Sequence, residues 1–174
     1  MPIRPVELSD VPELADLAVA QREFLTPWEP LRSAAWYSVE GQERMLVAQI
    51  ADRVQDRCHP FVIVVDGAIV GRITISNIAR GAGQFASLGY WVAEECNGRG
   101  VATAAVADAV AFAFGELNLH RLEAGTLVHN VGSQRVLERN GFERYGLAPE
   151  MVHINGQWQD HVMFQLINRQ WKPA

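Results

Sequence analysis

The 174-residue chain predicts a single α+β domain, residues 1–174, in which helices flank a central, mixed but mostly antiparallel sheet. Its length fits one domain of about 150 residues. Hydrophobic periodicity changes along the chain between helical stripes and short β-branched runs, in the order β–α–α–β–β–β–α–β–α–β–β. Two tight-turn pairs, Asp66–Gly67 and Asn155–Gly156, predict hairpins and therefore antiparallel neighbours.

The N-terminal third is expected to hold one strand and two helices, over residues 3–8, 11–24 and 33–57. Side-chain oxygens of Ser9 and Asp10 stand where they can cap the first helix. Pro27 and Pro30 separate the two helices, because proline does not fit a helix interior. The second helix is expected to divide near Gly41.

The rest of the chain alternates strands with two further helices. Predicted strands cover residues 61–65, 68–75, 85–92, 122–128, 142–153 and 158–166. Predicted helices cover residues 101–116 and 130–140, and Gly141 ends the second of them as a C-terminal glycine.

Composition excludes several classes of function. A net charge of −5 and a pI near 5.5 argue against binding along a nucleic-acid backbone, which needs basic patches. No apolar run approaches the roughly 20 residues of a membrane helix, so we expect a cytoplasmic protein without a membrane partner. Cys58 and Cys96 are expected to be free thiols, with a long-range disulfide as the alternative. The five histidines lack metal-ligand spacing, so no metal is expected.

A glycine loop between a strand and a helix is the strongest chemical signal. Glycines at a helix start let the backbone approach a ligand, and the free N–H groups there attract phosphate. A P-loop is excluded because Val101 and Ala102, not Lys and Ser/Thr, follow Gly100. A dinucleotide fingerprint is excluded because it needs a third glycine, an early βαβ unit and a downstream acid, whereas this loop follows an antiparallel meander. An ordinary turn stays the alternative. The candidate phosphate-binding residues are Asn97, Gly98, Arg99, Gly100, Val101 and Ala102.

The same loop resembles the acyl-CoA signature Q/R-x-x-G-x-G/A of the GNAT acyltransferase superfamily. Asn97, Gly100 and Ala102 occupy its defined positions, and Asn97 departs from Gln/Arg at the first, although it can still cap the helix. Residues 88–92 look like the strand that hydrogen-bonds pantetheine in this superfamily. Further segments are similar to the RimJ/RimL branch: 25–30, 122–124, 130–133, 141–142 and 154–162. The resemblance implies the three-layer GNAT fold and acetyl transfer from acetyl-CoA to a primary amine, often a protein N-terminus.

The resemblance also implies roles for single residues around the thioester. The strand residues Tyr90, Trp91 and Val92 look like the segment that binds pantetheine, with a backbone N–H near Trp91 or Val92 polarising the carbonyl. Asn130 looks like a second pantetheine ligand. Many relatives stabilise the leaving thiolate with a tyrosine where this chain has Leu137, but the RimJ/RimL branch uses the serine that is Ser133 here. Helix capping is the structural alternative for Asn130 and Ser133.

The base and the acceptor pocket are the remaining assignments. RimL-like enzymes carry a late-strand glutamate where this chain has Val152, and Glu150 is the candidate base because it is expected on the same strand face. His153 is a candidate acceptor residue on the opposite face. Three aromatic residues of the helix–loop–helix segment are expected to wall the acceptor pocket, with core packing as the alternative: Trp28, Trp36 and Tyr37.

Three functional hypotheses follow. The first is acetylation of a protein N-terminus with acetyl-CoA as donor. The second is acetylation of a small amine or antibiotic, and the third is a catalytically silent acyl-CoA sensor. A homodimer through the antiparallel edge of the sheet is left open.

Overall fold

The computed structural model describes residues 2–173, which form one seven-stranded sheet with helices on both faces. The strands are β1 (Ile3–Pro5), β2 (His59–Val65), β3 (Ala68–Ala79), β4 (Phe85–Val92), β5 (Arg121–Leu127), β6 (Glu143–Ile154) and β7 (Gln157–Ile167). The helices are α1 (Val11–Ala20), α2 (Arg22–Leu25), α3 (Val39–Val54), α4 (Val101–Gly115) and α5 (Val131–Arg139). Short 3₁₀ turns occupy residues 8–10, 34–37 and 94–96.

The strand order is β1-β2-β3-β4-β5-β7-β6, and every neighbouring pair is antiparallel except β4 and β5. The expected mixed, mostly antiparallel sheet is therefore confirmed. One core cluster packs α4 and Leu137 of α5 against the centre of the sheet. A smaller cluster packs α1 and α3 against β2 and β3 from the other face. The parallel pair in the middle of the sheet is the feature that positions the site.

The two predicted tight hairpins are confirmed by their backbone angles. Asp66 and Gly67 have φ values of 51° and 85°, and Asn155 and Gly156 have 47° and 80°. Two consecutive positive φ values define the type I′ turn, whose twist matches that of the flanking strands. These turns fix the β2–β3 and β6–β7 pairings.

The first strand is shorter than predicted, because the Asp10 side chain folds the chain back. Its carboxylate accepts hydrogen bonds from the Arg4 guanidinium at 2.7 and 2.8 Å and from the Glu7 N–H at 2.8 Å. The strand ends at Pro5, and a 3₁₀ turn replaces its predicted end. Neither Ser9 nor Asp10 caps α1 with its side chain, so that expectation was wrong. The Arg4 contact lowers the pKa of Asp10.

The predicted second helix is divided at Ser38 rather than at Gly41. The Ser38 hydroxyl caps α3 by accepting from the Gly41 N–H at 3.1 Å. Gly41 serves packing instead, because a Cβ there would lie 1.8 Å from the Ala35 carbonyl oxygen. The glycine therefore lets the 3₁₀ turn at 34–37 lie directly on α3.

Strand β6 is less regular than predicted. Ala148 pairs with His161 and Val152 pairs with Gln159, so three residues of β6 face Asp160 alone. This bulge gives Glu150 a φ of 47°. A bulge interrupts the two-residue alternation of side chains. The expectation that Glu150 and Val152 share a regular strand face was therefore wrong.

Cys58 and Cys96 are both buried and unbonded, as the free-thiol prediction required. Burial raises the pKa of the Cys58 thiol. Across residues 2–173, no helix is long and apolar enough to cross a bilayer. In the same residues, no group of three His, Cys, Asp or Glu side chains is arranged to hold a metal ion.

Candidate active site

The parallel strands β4 and β5 separate along their length. They pair only between residues 85–87 and 121–123, although β4 continues to Val92 and β5 to Leu127. The expected separation near Trp91 and Val92 is therefore present. It leaves an opening in the centre of the sheet, bounded on one side by the last residues of β4.

The alternating direction of the backbone N–H and C=O groups along β4 decides which of them face this opening. The Ala93 N–H donates to the Val70 carbonyl of β3 at 2.7 Å, so Ala93 faces β3. The Trp91 carbonyl faces the same way, since it lies 2.3 Å from the Cβ position of Gly71. N–H groups alternate sides along a strand. Those of Tyr90 and Val92 therefore face the opening, and Val92 rather than Trp91 is the candidate oxyanion donor.

The start of α4 is stabilised by backbone conformation without a side-chain cap. Gly98 and Gly100 have φ values of 72° and 80°, and Gly100 is the N-cap residue. Asn97 does not cap the helix, contrary to expectation. The first N–H groups of α4 consequently stay available for an anion, beside the positive end of the helix dipole. This arrangement fits a diphosphate, and the exposed Arg99 adds positive charge.

A buried glutamine that sequence reasoning missed supports this loop. The Gln21 side-chain oxygen Oε1 accepts from the Glu94 N–H at 2.9 Å, and the side-chain nitrogen Nε2 donates to the Glu95 carboxylate at 3.1 Å. Gln21 is only 7% exposed. It continues the buried stripe of Leu14 and Ala18 at helical spacing, and a polar residue in that stripe was the available signal.

The start of α5 brings two hydroxyl groups together. The Asn130 side chain caps the helix by accepting from the Ser133 N–H at 3.0 Å. The Ser133 Oγ lies 2.9 Å from the Tyr90 hydroxyl, and the Ser133 carbonyl oxygen, at 3.2 Å, is a second acceptor for the same phenol proton. Burial raises the pKa of Tyr90 to about 12. Leu137 is fully buried in the core, so Ser133 is the hydroxyl of α5 at the opening.

The aromatic residues that are expected to wall the acceptor pocket lie in two groups. Trp28 reaches across to His129, immediately before α5, with ring centroids 5.5 Å apart. Trp36 and Tyr37 instead lie beneath arginines, with the Arg32 guanidinium 4.2 Å and the Arg22 guanidinium 4.6 Å from their ring centroids. Only Trp28 is thus brought directly to the start of α5.

A cavity of about 120 Å³ lies beside these aromatic residues. Its lining includes Arg22, Glu29, Arg32 and Tyr37. Burial raises the pKa of Glu29, which lies 3.6 Å from Arg32. Sites for drug-sized ligands usually measure about 300–1,000 Å³, so this cavity does not suit an enclosed small-molecule acceptor.

Glu150 and His153 lie apart from the two hydroxyl groups. Glu150 is exposed in the β6 bulge, where its N–H donates to Asp160 at 2.9 Å. The His153 ring packs against Trp158 near the hairpin turn, with centroids 5.4 Å apart. Neither side chain hydrogen-bonds to Ser133 within the described residues. The sheet register places the bulge beyond the end of β5, at the same end of the sheet as the start of α5.

Comparison with known proteins gives consistent matches over the chain. The family model of the Acetyltransferase (GNAT) domain matches residues 1–143. The Bacillus subtilis (strain 168) protein named "Probable N-acetyltransferase YjcK" is 38% identical over 168 residues, covering 95% of this chain and 93% of the relative. The [ribosomal protein uS5]-alanine N-acetyltransferase of Escherichia coli (strain K12) is 31% identical, covering 99% and 90%. The structure of Mycobacterium smegmatis RimJ in complex with CoA-disulfide superposes with a TM-score of 0.93 at 32% identity, covering 99% and 84%.

Proposed function

The chain belongs to the acetyltransferase (GNAT) family, and we propose that it transfers the acetyl group of acetyl-CoA to the N-terminal amine of a protein. The favoured acceptor is a ribosomal protein that begins with alanine, because a relative covering 99% of the chain is named for that activity. The observation that carries the proposal is the Ser133 hydroxyl, held by Tyr90 at the edge of the β4–β5 opening. The small-amine and sensor hypotheses lack a comparable observation.

The donor is expected to lie along the opening, with its diphosphate at the start of α4. Backbone N–H groups of residues 98–102 bind the diphosphate, since the Asn97 N–H is donated to the Glu94 carbonyl at 3.1 Å, and Arg99 adds charge. Tyr90 and Val92 offer N–H groups to the pantetheine and the acetyl carbonyl. A hydrogen-bond donor that is already in position at the carbonyl oxygen stabilises the negative charge that develops there. This lowers the activation free energy by a few kcal/mol. Acetyl-CoA supplies the activated acetyl group, and the protein orients it.

The acceptor amine enters from the side of Trp28 and attacks the carbonyl while both substrates are bound. Ser133 donates a hydrogen bond to the sulfur as the carbon–sulfur bond breaks. A peptide α-amine has a pKa near 8, so about a tenth of it is neutral at pH 7, whereas a lysine amine is below about 0.1% neutral. An N-terminal amine therefore needs little help from a base. Water or Glu150 takes its proton, and His153 is a further acceptor contact.

The test is mass spectrometry after incubation with acetyl-CoA and matched peptides. One peptide begins with a free alanine, the second has the same sequence with a blocked N-terminus and an internal lysine, and a panel of small amines completes the set. Free-thiol release is followed in parallel. We expect acetyl on the free alanine alone. Tight CoA binding without thiol release for any amine would contradict the proposal.

Two expectations from the sequence remain predictions. They are the cytoplasmic location and the homodimer through the sheet edge. Strand β6 lies at that edge and exposes Tyr145, Leu147 and Met151.

A further inference from the structure

The Tyr90 side chain makes a contact that backbone binding of a cofactor does not require. Tyr90 pairs with Ile73 of β3, and its ring packs on the face of the sheet that α4 and α5 cover. From there its hydroxyl reaches Ser133 on α5, at 2.9 Å from Oγ and 3.2 Å from the carbonyl oxygen. Strand β4 therefore contacts the start of α5 through one phenol.

The two hydroxyl groups share two protons, and their arrangement decides what Ser133 can do. If the Ser133 proton is given to Tyr90, no proton remains to meet the leaving sulfur. Tyr90 has one hydroxyl proton and two acceptors within reach, Ser133 Oγ at 2.9 Å and the Ser133 carbonyl oxygen at 3.2 Å. When that proton lies on the nearer acceptor, Oγ, the serine proton is free to point into the opening. The Ser133 N–H is already bonded to Asn130 at 3.0 Å, so the serine side chain is not needed to cap its own helix.

We propose that Tyr90 is a positioning residue, whose phenol donates to Ser133 Oγ so that the serine proton points toward the leaving sulfur. This inference rests on the proposed acetyl transfer. It assigns the Tyr90 side chain a role distinct from that of its backbone N–H. It also gives the site a phenol although α5 carries Leu137 where many relatives have a tyrosine.

The step balances without ionising either hydroxyl. The amine nitrogen forms a bond to the acetyl carbon, and the carbon–sulfur bond breaks with its electron pair on sulfur. Ser133 donates a hydrogen bond to that sulfur, and Tyr90 supports the increased charge on Ser133 Oγ. The amine proton leaves to water or a base, and solvent protonates the released thiolate. The products are the amide and the free thiol, because the proton lost by the amine is balanced by the proton gained by the thiolate.

Tyr90 acts through its hydrogen bond because its proton is held too tightly for transfer. Burial raises the pKa of Tyr90 to about 12, whereas an ordinary thiol has a pKa near 8.5. Proton transfer from this phenol to a thiolate is therefore disfavoured by about a thousandfold or more. The phenol stays neutral across the pH range in which the amine is acetylated.

The experiment is a double-mutant cycle on kcat with Tyr90→Phe and Ser133→Ala. Phenylalanine keeps the ring packing and removes only the hydroxyl. A hydrogen bond between neutral groups contributes roughly 0.5–1.5 kcal/mol, so we expect Tyr90→Phe to lower kcat about three- to tenfold. The KM for acetyl-CoA should change less than about twofold, since the backbone N–H groups are unaltered. In the Ser133→Ala background the same substitution should have no further effect.

Matched controls separate this role from a structural one. Tyr145→Phe removes a hydroxyl from an exposed tyrosine of β6 and should keep wild-type kcat. CoA affinity and the thermal midpoint of each variant identify one that is misfolded, and Tyr90→Leu then replaces Tyr90→Phe as the variant without a hydrogen-bond donor. Equal losses of kcat from Tyr90→Phe with and without Ser133 would overturn the inference, as would an unchanged kcat. The wild type is assayed first, so failure of acetyl transfer itself is recognised separately.

Discussion

The donor side and the acceptor side of the proposed site differ in the groups that form them. The donor side consists of backbone: the end of β4, which pairs with β3 but not with β5, two glycines with positive φ, and the first turn of α4. The acceptor side consists of side chains from distant segments, such as Trp28 against His129 and Glu150 in a bulge opposite Asp160. Backbone recognition needs a local conformation, whereas side-chain recognition needs distant segments to meet. Ser133 lies at the boundary between the two.

The largest expected effect on kcat comes from substituting Ser133, which lies between the donor side and the acceptor side. Ser133→Ala removes a hydrogen bond to a developing negative charge, and such bonds contribute about 1.5–3 kcal/mol. We expect kcat to fall about ten- to a hundredfold while CoA affinity changes less than twofold. Ser133→Thr keeps a hydroxyl and should recover most of the loss. Parallel losses of kcat and CoA affinity would make Ser133 a structural residue of the donor side.

The donor side is tested by Gly100→Ala. Gly100 has a φ of 80°, and an L-residue in this region costs about 1–2 kcal/mol. Relieving that strain displaces the N–H groups of the loop, so we expect CoA affinity, measured by calorimetry, to fall about tenfold. Gly81→Ala is the matched control, because Gly81 has a φ of 67° and lies in the β3–β4 loop, at the other end of β4. It should lower stability similarly and leave CoA affinity unchanged. Equal affinities in both variants would refute the assignment of the loop.

The acceptor side is tested by Trp28→Ala. An aromatic pair contributes roughly 0.5–1.5 kcal/mol beyond burial, so loss of the contact with His129 should raise the peptide KM about three- to tenfold. The KM for acetyl-CoA should stay the same, because no donor-side N–H is changed. Trp28→Phe should restore part of the loss. A change in the acetyl-CoA KM alone would assign Trp28 to the donor side and contradict this prediction.

The smallest effect is expected for Glu150→Gln. Near pH 8 about half of a peptide α-amine is already neutral. Steady-state kinetics with the alanine peptide should therefore show a change in kcat/KM of less than about threefold. The Asp160 contact uses the Glu150 backbone, so the substitution leaves the bulge intact. A loss of a hundredfold would assign the general base to Glu150 and remove water from that role.

The same contrast explains how much the sequence could predict. Strand β4 was predicted with its observed bounds, and Gly98 and Gly100 marked the helix start, because each depends on local conformation. The Tyr90–Ser133 contact joins residues 43 positions apart, and no local pattern records such a pair. For Gln21, the only signal in the sequence was a polar residue at a position of the apolar helical stripe.

The errors have the same origin. The break at Ser38, the shortened first strand and the β6 bulge each depend on a side chain or a register that only the folded chain defines. Asn97 failed as a cap because Gly100 reaches a left-handed N-cap conformation without a side chain.

The most direct test is a crystal structure of the protein with bound CoA. We expect the pantetheine between β4 and β5, hydrogen-bonded to the N–H groups of Tyr90 and Val92, and the diphosphate at the first turn of α4. The sulfur should lie within hydrogen-bonding reach of Ser133 Oγ, with Tyr90 still bonded to that oxygen. A sulfur outside the opening, or one turned away from Ser133, would contradict the division of the site described above.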